Sequence, residues 1–182
     1  MFIEEGNPSS LSQHLLPISS DQLIEQLNFW QIEYKCFHHI PLMTVKESKL
    51  VQGLFLSESE GGGHIKNLFL RDHKKRFLLL VAHQDAFVNL KNLQININVG
   101  RLSFGSKESL FNKLGVFPGA VTPFAMINGV KNNIPIYIDK NLQSYKKIYA
   151  HPLVNDKTLE IPISELERFF EKIGVIPNWI QL

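Results

Sequence analysis

The residues best able to do chemistry fall in three short segments. The first is Gly61-Gly62-Gly63-His64-Ile65-Lys66-Asn67-Leu68-Phe69-Leu70. Three glycines let backbone approach a ligand closely, and Lys66 and Asn67 then stand at the mouth of an apolar strand, where a cation and an amide can act on a polar substrate group. Taken alone, Lys66 reads as a solvated lysine at a strand start, because most lysines are exposed. The second segment, Leu114 to Phe124, carries Gly115, Pro118, Gly119 and Pro123, which fix an irregular backbone with amides and carbonyls at a rigid angle. The third is His151-Pro152-Leu153-Val154-Asn155, where Pro152 ends a strand and leaves His151 at its rim. Taken singly, each of these is explained equally well by tight turn packing.

Other motifs fail on spacing. Gly100-Arg-Leu-Ser-Phe-Gly105-Ser106-Lys107 nearly reads as a phosphate loop, but its Gly-Ser-Lys order reverses the required Gly-Lys-Ser/Thr. The three glycines precede a strand and lack the rest of a dinucleotide fingerprint. The chain has no Gly-x-Ser-x-Gly elbow. None of the seven histidines (14, 38, 39, 64, 73, 83 and 151) has the i, i+4 spacing of a helical zinc pair, so no metal is expected. Cys36 reads as a buried, inert thiol in a strand. His73-Lys74-Lys75-Arg76 reads as a solvated hairpin turn, with contact to RNA phosphates as the competing use.

The elements that must position these residues follow from hydrophobic period and capping. Residues 1–18 have no sustained period and read as a loosely ordered arm. Ser19 and Gln22 have capping-box spacing ahead of a helical stripe of Leu23, Ile24, Leu27 and Trp30. A strand is expected around Gln31–Phe37, then a short helix opened by Thr44 and Glu47 and ending near Gly53. Leu54–Leu56 reads as a strand, Ser57–Gly63 as a flexible loop, and Asn67–Asp72 and Arg76–His83 as further strands. A helix over Phe87–Ile95, a strand at Arg101–Phe104, and a helix after Ser106 closed by Gly115 come next. Short strands are expected at Phe124–Ile127, Ile134–Ile138, Lys147–His151 and Thr158–Ile163. The stretch 128–133 reads as a lengthened turn, and Ser164 and Glu167 cap a last helix. This order predicts one α+β domain over 19–182: a single mixed, largely antiparallel sheet with a barrel-like core and flanking helices.

Composition agrees. At 182 residues the chain is the size of one domain and needs no staples, and a single cysteine excludes a disulfide scaffold. Its 19 basic and 17 acidic residues give a net charge of +2, too balanced to coat nucleic acid by charge alone. The longest wholly apolar run, Phe77–Ala82, is far short of a membrane helix, and acids occupy the N-terminus where a signal peptide needs positive charge. A soluble cytoplasmic protein with no membrane partner is expected.

The three segments and Arg101-Leu-Ser-Phe104, in this order, resemble the YbaK/ProX superfamily of aminoacyl-tRNA editing domains over roughly residues 20–173. The resemblance is nearest to its free-standing branch that deacylates alanyl-tRNA(Pro). It implies hydrolysis of the ester joining a wrong amino acid to the tRNA 3′ end, with water as nucleophile and no cofactor or metal. Lys66 would be the essential residue, holding the acyl end and adenosine. Asn67 would orient the ribose or carbonyl. Gly119, Ala120, Val121 and Thr122 would line the amino-acid pocket, and His151 would help set its size, with Leu42 and Met43 as further candidates. The partners implied are the acceptor end of tRNA(Pro) and prolyl-tRNA synthetase, not DNA, with Lys74, Lys75, Arg76, Lys146 and Lys147 facing phosphates. Two alternatives remain: the same chemistry on another tRNA such as cysteinyl-tRNA(Pro), or a non-catalytic module that docks to tRNA or a synthetase.

Overall fold

The structure is a computed structural model and describes residues 6–182. A 3₁₀ turn over Ser10–Leu15 precedes helix α1 (Ser20–Phe29), whose capping box is formed by Ser19 and Gln22 and whose Leu23 and Leu27 are fully buried. Strand β1 (Lys35–His38) and helix α2 (Val45–Val51, boxed by Thr44 and Glu47) follow. Then come β2 (Gly62–Arg71), β3 (Phe77–His83), α3 (Leu90–Asn96, capped by Asn89) and β4 (Ser103–Phe104). Helix α4 (Lys107–Leu114) starts at Ser106 and ends at Gly115, whose φ of 66° is the left-handed turn glycine supplies most easily. The chain closes with α5 (Met126–Gly129), β5 (Ile136–Asp139), β6 (Lys147–Ala150), β7 (Lys157–Pro162), α6 (Ile163–Lys172) and β8 (Asn178–Ile180).

The strands form one mixed sheet in the order β1-β7-β6-β2-β3-β5-β8, with β4 beside the end of β2. The expected α+β sheet with flanking helices is therefore present, but it does not close. β1 and β8 are free edges, so there is no barrel.

β2 is the organising strand because it changes partner along its length. It runs parallel to β6 over Gly62–His64 and antiparallel to β3 over Ile65–Arg71, and meets β4 only at Leu70 and Arg71. Side chains alternate across it. Ile65 and Phe69 join the large core with Leu79, Val81, Ile148 and the α6 residues Leu166, Phe169 and Phe170, while Leu68 and Leu70 join a smaller one with Leu78, Leu80 and Leu93.

Several expectations fail for identifiable reasons. Leu54–Leu56 is not a strand: Gln52–Leu54 makes a 3₁₀ turn, and Phe55 packs on Phe37 and Tyr149 with centroids at 5.0 and 4.6 Å. Phe124–Ile127 is helical. Its apolar run fits either period, but Pro123 at the first position and the Thr122 hydroxyl, which accepts from the Phe124 N–H, start a 3₁₀ turn that leads into α5. The stretch 128–133 continues that helix and ends at Asn133 in the left-handed region.

Gly62 and Gly63 lie in β2, not in a loop. A Cβ on Gly62 would sit 2.2 Å from the Leu56 carbonyl oxygen, and one on Gly63 would sit 2.8 Å from the Tyr145 ring, so these glycines admit neighbouring chain. Lys66 consequently stands mid-strand.

Phe169 is fully buried, with ring centroids 5.1 Å from Phe124 and 6.2 Å from Trp30. Phe169→Ala is expected to lower the unfolding free energy by about 3–5 kcal/mol, read from urea denaturation.

Candidate active site

The change of partner along β2 leaves part of one edge bare. β6 ends at Ala150, Pro152 has no N–H with which to extend it, and β4 begins only opposite Leu70. The alternation that aims the Phe69 carbonyl at the Gly105 N–H also places the main-chain groups of Asn67 on this edge, with no strand opposite among the described residues. A cleft opens here, with about 420 Å³ of space counting the open solvent at its mouth, its walls including Ile65, Asn67, Ala150, His151, Leu42, Val51 and Thr158. Phe55, His64, Gln84 and Tyr149 complete it.

Asn67 ties the cleft to the Gly/Pro loop: its Nδ2 donates to the Val121 carbonyl at 2.9 Å. Its Oδ1 is buried and accepts from no group among the described residues. Such an acceptor costs about 1–3 kcal/mol unless something donates to it. Gly119 has φ 92°, a conformation that L side chains rarely adopt, and it packs beneath the Met43 sulfur. Ala120 and Thr122 are fully buried, and the Thr122 hydroxyl is engaged with Phe124. The loop therefore meets the cleft through the Asn67–Val121 bond, while Gly119, Ala120 and Thr122 stand behind it.

His151 lines the cleft directly. Its Nδ1 lies 2.9 Å from the Lys157 carbonyl and must donate there, which leaves Nε2 as an acceptor in the neutral ring. Burial first, then neighbouring His39, holds its pKa below the usual histidine range. Two residues on, buried Leu153 adopts φ 67°, a backbone strain that sets where β6 stops.

His39 and Thr158 had no signal in the sequence, because 119 positions separate them. The His39 Nε2 is 2.8 Å from the Thr158 Oγ1, and its Nδ1 donates to the Ile40 carbonyl at 2.7 Å. This contact ties the end of β1 to Thr158, the β7 residue that lines the cleft. Asn67, Thr158 and His151, whose side chains all carry acceptor atoms, thus line one cavity.

Lys66 stands on the other face from Asn67, in line with His64. Its ammonium donates to the Ala86 carbonyl, just past the cleft wall residue Gln84, and its other two N–H bonds have no partner among the described residues. A hydrogen bond from Lys49 at 2.8 Å, with that ammonium's charge and then the weaker fields of His83 and Lys66, holds the Asp85 carboxyl below the usual range.

His64 stacks on Tyr149 at 4.7 Å, and burial pushes its pKa down. Burial, helped by the Glu160 carboxylate, pushes the Tyr149 phenol up to about 12, so it stays protonated and donates to Glu160 at 3.1 Å.

Other expectations on the sequence resolve as follows. Cys36 is half-buried with its thiol pKa raised by burial, and its Sγ lies 4.0 Å from His38 Nε2. The cations expected to face phosphates do not form one patch. Lys147 pairs with the buried Glu160 at the start of β2, and Lys74–Arg76 lie past its far end, about 30 Å away at ~3.3 Å per residue. Among the described residues no helix is long and apolar enough to cross a membrane.

The open sheet edge thus carries an amide and acceptor-bearing side chains, while Lys66, expected at the same site, is not among the residues that line the cleft and holds its ammonium on the opposite face of β2. A model of the aminoacyl-tRNA editing domain matches residues 43–169. The prolyl-tRNA editing protein ProX of Acetoanaerobium sticklandii is 33% identical over 154 residues, 84% of this chain and 90% of its own. Prolyl-tRNA synthetase associated domain-containing protein 1 of Xenopus laevis is 34% identical over 162 residues, 86% of this chain and 92% of its own. A solved structure described as a candidate trans-editing enzyme for prolyl-tRNA synthetase shares the fold, with TM-score 0.64 over 90% of this chain and 97% of its own at 19% identity. The chain belongs to the aminoacyl-tRNA editing domain family.

The buried histidines make stability depend on pH. His64 and His151 have folded pKa values below the ordinary ~6.5, so the unfolded chain takes up protons that the folded one refuses. Stability is full above that value and declines as pH falls below it. Urea midpoints measured between about pH 5 and 7 are expected to fall with acidification, and His64→Gln or His151→Gln is expected to flatten the slope.

Proposed function

We propose that the protein is a trans-editing deacylase that hydrolyses the ester of mischarged alanyl-tRNA(Pro). The observation that carries the reading is that Asn67, Thr158 and His151, whose side chains carry acceptor atoms, line one cleft. An aminoacyl ester differs from an uncharged RNA end by its α-ammonium, which has donors and no acceptor, and these three groups complement it.

The ester is already activated, so water attacks without a covalent enzyme intermediate. A water oxygen bonds to the acyl carbon, the bond to the ribose oxygen breaks, and that oxygen leaves with a proton. Alanine and a free tRNA end are released. The vicinal ribose hydroxyl relays protons. For Lys66, whose ammonium rests on the Ala86 carbonyl at the opposite face of β2, the family resemblance supports a role at the acyl end and terminal adenosine, where it holds charge that develops on the carbonyl oxygen. Asn67 orients the ribose or carbonyl from the bare edge. Leu42, Ala150 and His151 set the size of the amino-acid pocket, with the 119–122 loop fixing Asn67 from behind.

The biological logic is size discrimination. A synthetase pocket shaped for proline cannot exclude the smaller alanine by clash, since each missing methylene is worth only about 1–3 kcal/mol. A second pocket that admits alanine and rejects the proline ring corrects the error. The relatives' names, prolyl-tRNA editing protein and prolyl-tRNA synthetase associated domain-containing protein, support this choice of tRNA. We take residues 19–182 as the editing domain, acting in the cytoplasm on tRNA delivered with or without prolyl-tRNA synthetase. Of the expected arm at 1–18, residues 1–5 lie outside the described residues; in the rest the Ser10 hydroxyl donates to Asp156 at 2.5 Å and the Pro8 carbonyl accepts from the Asn155 N–H at 2.8 Å.

Deacylation of alanyl-, cysteinyl- and prolyl-tRNA(Pro) tests the reading. Wild type is expected to clear the alanyl ester and spare the prolyl one, and Lys66→Ala to lose at least about a hundredfold in rate with an unchanged melting profile. Clearance of the cysteinyl ester with the alanyl one intact overturns the size assignment, and full activity of Lys66→Ala overturns the role of the ammonium.

A further inference from the structure

A second concavity lies past the far end of β2 and shares no wall with the cleft. It holds about 980 Å³ of open space and is bordered by Asp72, Lys75 and Arg76 of the β2–β3 turn, Lys113 of α4, and Asn132 and Asn133 after α5. The turn is rigid for a reason visible in its bonds. Asp72 is 3% exposed, and its Oδ1 accepts from the N–H groups of Lys74 and Arg76 at 2.8 and 2.9 Å, while its Oδ2 takes the Arg76 guanidinium at 2.6 and 2.7 Å. This fixes Lys75 in the left-handed region at φ 60°, a conformation few non-glycine residues adopt.

The charge does not cancel. The only acid in the groove wall is neutralised by Arg76, so Lys75 and Lys113 are left without an ion pair among the described residues. Exposed Lys74 and Lys131 flank the groove in sequence. A chain whose net charge is only +2 thus concentrates unpaired cations at one end of its sheet.

Position supplies the second argument. Asn67 lies on β2 and Asp72 directly follows its last residue, five positions on, about 17 Å at ~3.3 Å per residue. A polyanion with its 3′ end in the cleft would lay its backbone within this reach.

We propose that the Lys75–Lys113 groove binds the sugar–phosphate backbone of the acceptor arm of the RNA whose charged end enters the cleft. The proposal rests on the deacylase reading for the direction of the RNA, but not for its binding. Lys75 and Lys113 meet phosphate oxygens as point charges, so the groove adds affinity and register without reading sequence.

The test is binding of uncharged tRNA by wild type and by Lys75→Gln/Lys113→Gln, measured by fluorescence anisotropy across a salt series. Asp72 and Arg76 stay intact so that the turn holds, and equal melting temperatures verify it. The double variant is expected to bind about tenfold more weakly, with the slope of log affinity against log salt smaller by about 1.5. Lys91→Gln/Lys172→Gln, which removes the same net charge elsewhere on the surface, is expected to match wild type. Deacylation of a short aminoacylated CCA fragment by the groove variant is expected to stay within twofold of wild type. Unchanged affinity and slope, or an equal loss in the control pair, overturns the proposal. So does a variant that loses polyglutamate binding but keeps tRNA, which would assign the groove to an acidic protein. Because the ligand is uncharged tRNA, a wild type that cleaves no ester would sink the deacylase reading while leaving this result legible.

Discussion

A β-strand can satisfy its main-chain groups on both edges only where it has a neighbour on each. β2 has β3 along most of one edge, but on the other it exchanges β6 for β4 with a gap between them. The gap is enforced covalently on one side, since Pro152 cannot donate to an extended β6, and by the left-handed turn at Leu153 that follows. Unpaired polar groups in a protein interior are costly, so such an edge persists only if packing elsewhere outweighs it. Here the large core under β2, with Phe124, Phe169 and Phe170 fully buried, supplies that excess.

The bare edge explains why the site residues come from distant parts of the chain. Asn67 faces it from β2, His151 and Ala150 from the stump of β6, Thr158 and His39 from β7 and the end of β1. The Gly/Pro loop patches it through the single Val121 carbonyl. The electrostatics are consistent with a cationic or donor-rich ligand. Burial disfavours the charged forms of His64 and His151, the Nδ1 donor of His151 leaves its Nε2 an acceptor in the neutral ring, and Tyr149 stays protonated. The positive charge sits on Lys66, at the opposite face of the strand, with Asp85, paired to Lys49, in its field.

Much of the scaffold was legible in the residues. Ser19 with Gln22, Thr44 with Glu47, and Ser106 with Gly115 mark helix ends because capping is a local hydrogen-bond problem, solved within three or four residues. The aliphatic run of β3 announced a central strand for the same local reason. Phe124–Ile127 misled because an apolar run carries no period, and the decision fell to the Thr122 cap and Pro123. Gly61–Gly63 misled because a glycine does not say what approaches it. In the fold the visitors are the Leu56 carbonyl, the Tyr145 ring and the Lys146 side chain, not a ligand.

What the sequence determined by itself was the set of elements, their caps, the α+β class, and the adjacency of Lys66 to Asn67, all consequences of interactions spanning a few residues. What only the tertiary structure decided was that these neighbours address opposite faces, that the sheet stays open, and that a histidine at 39 meets a threonine at 158. Those facts depend on strand register and partner exchange, which arise from the simultaneous packing of segments more than a hundred residues apart and leave no periodic trace in the chain.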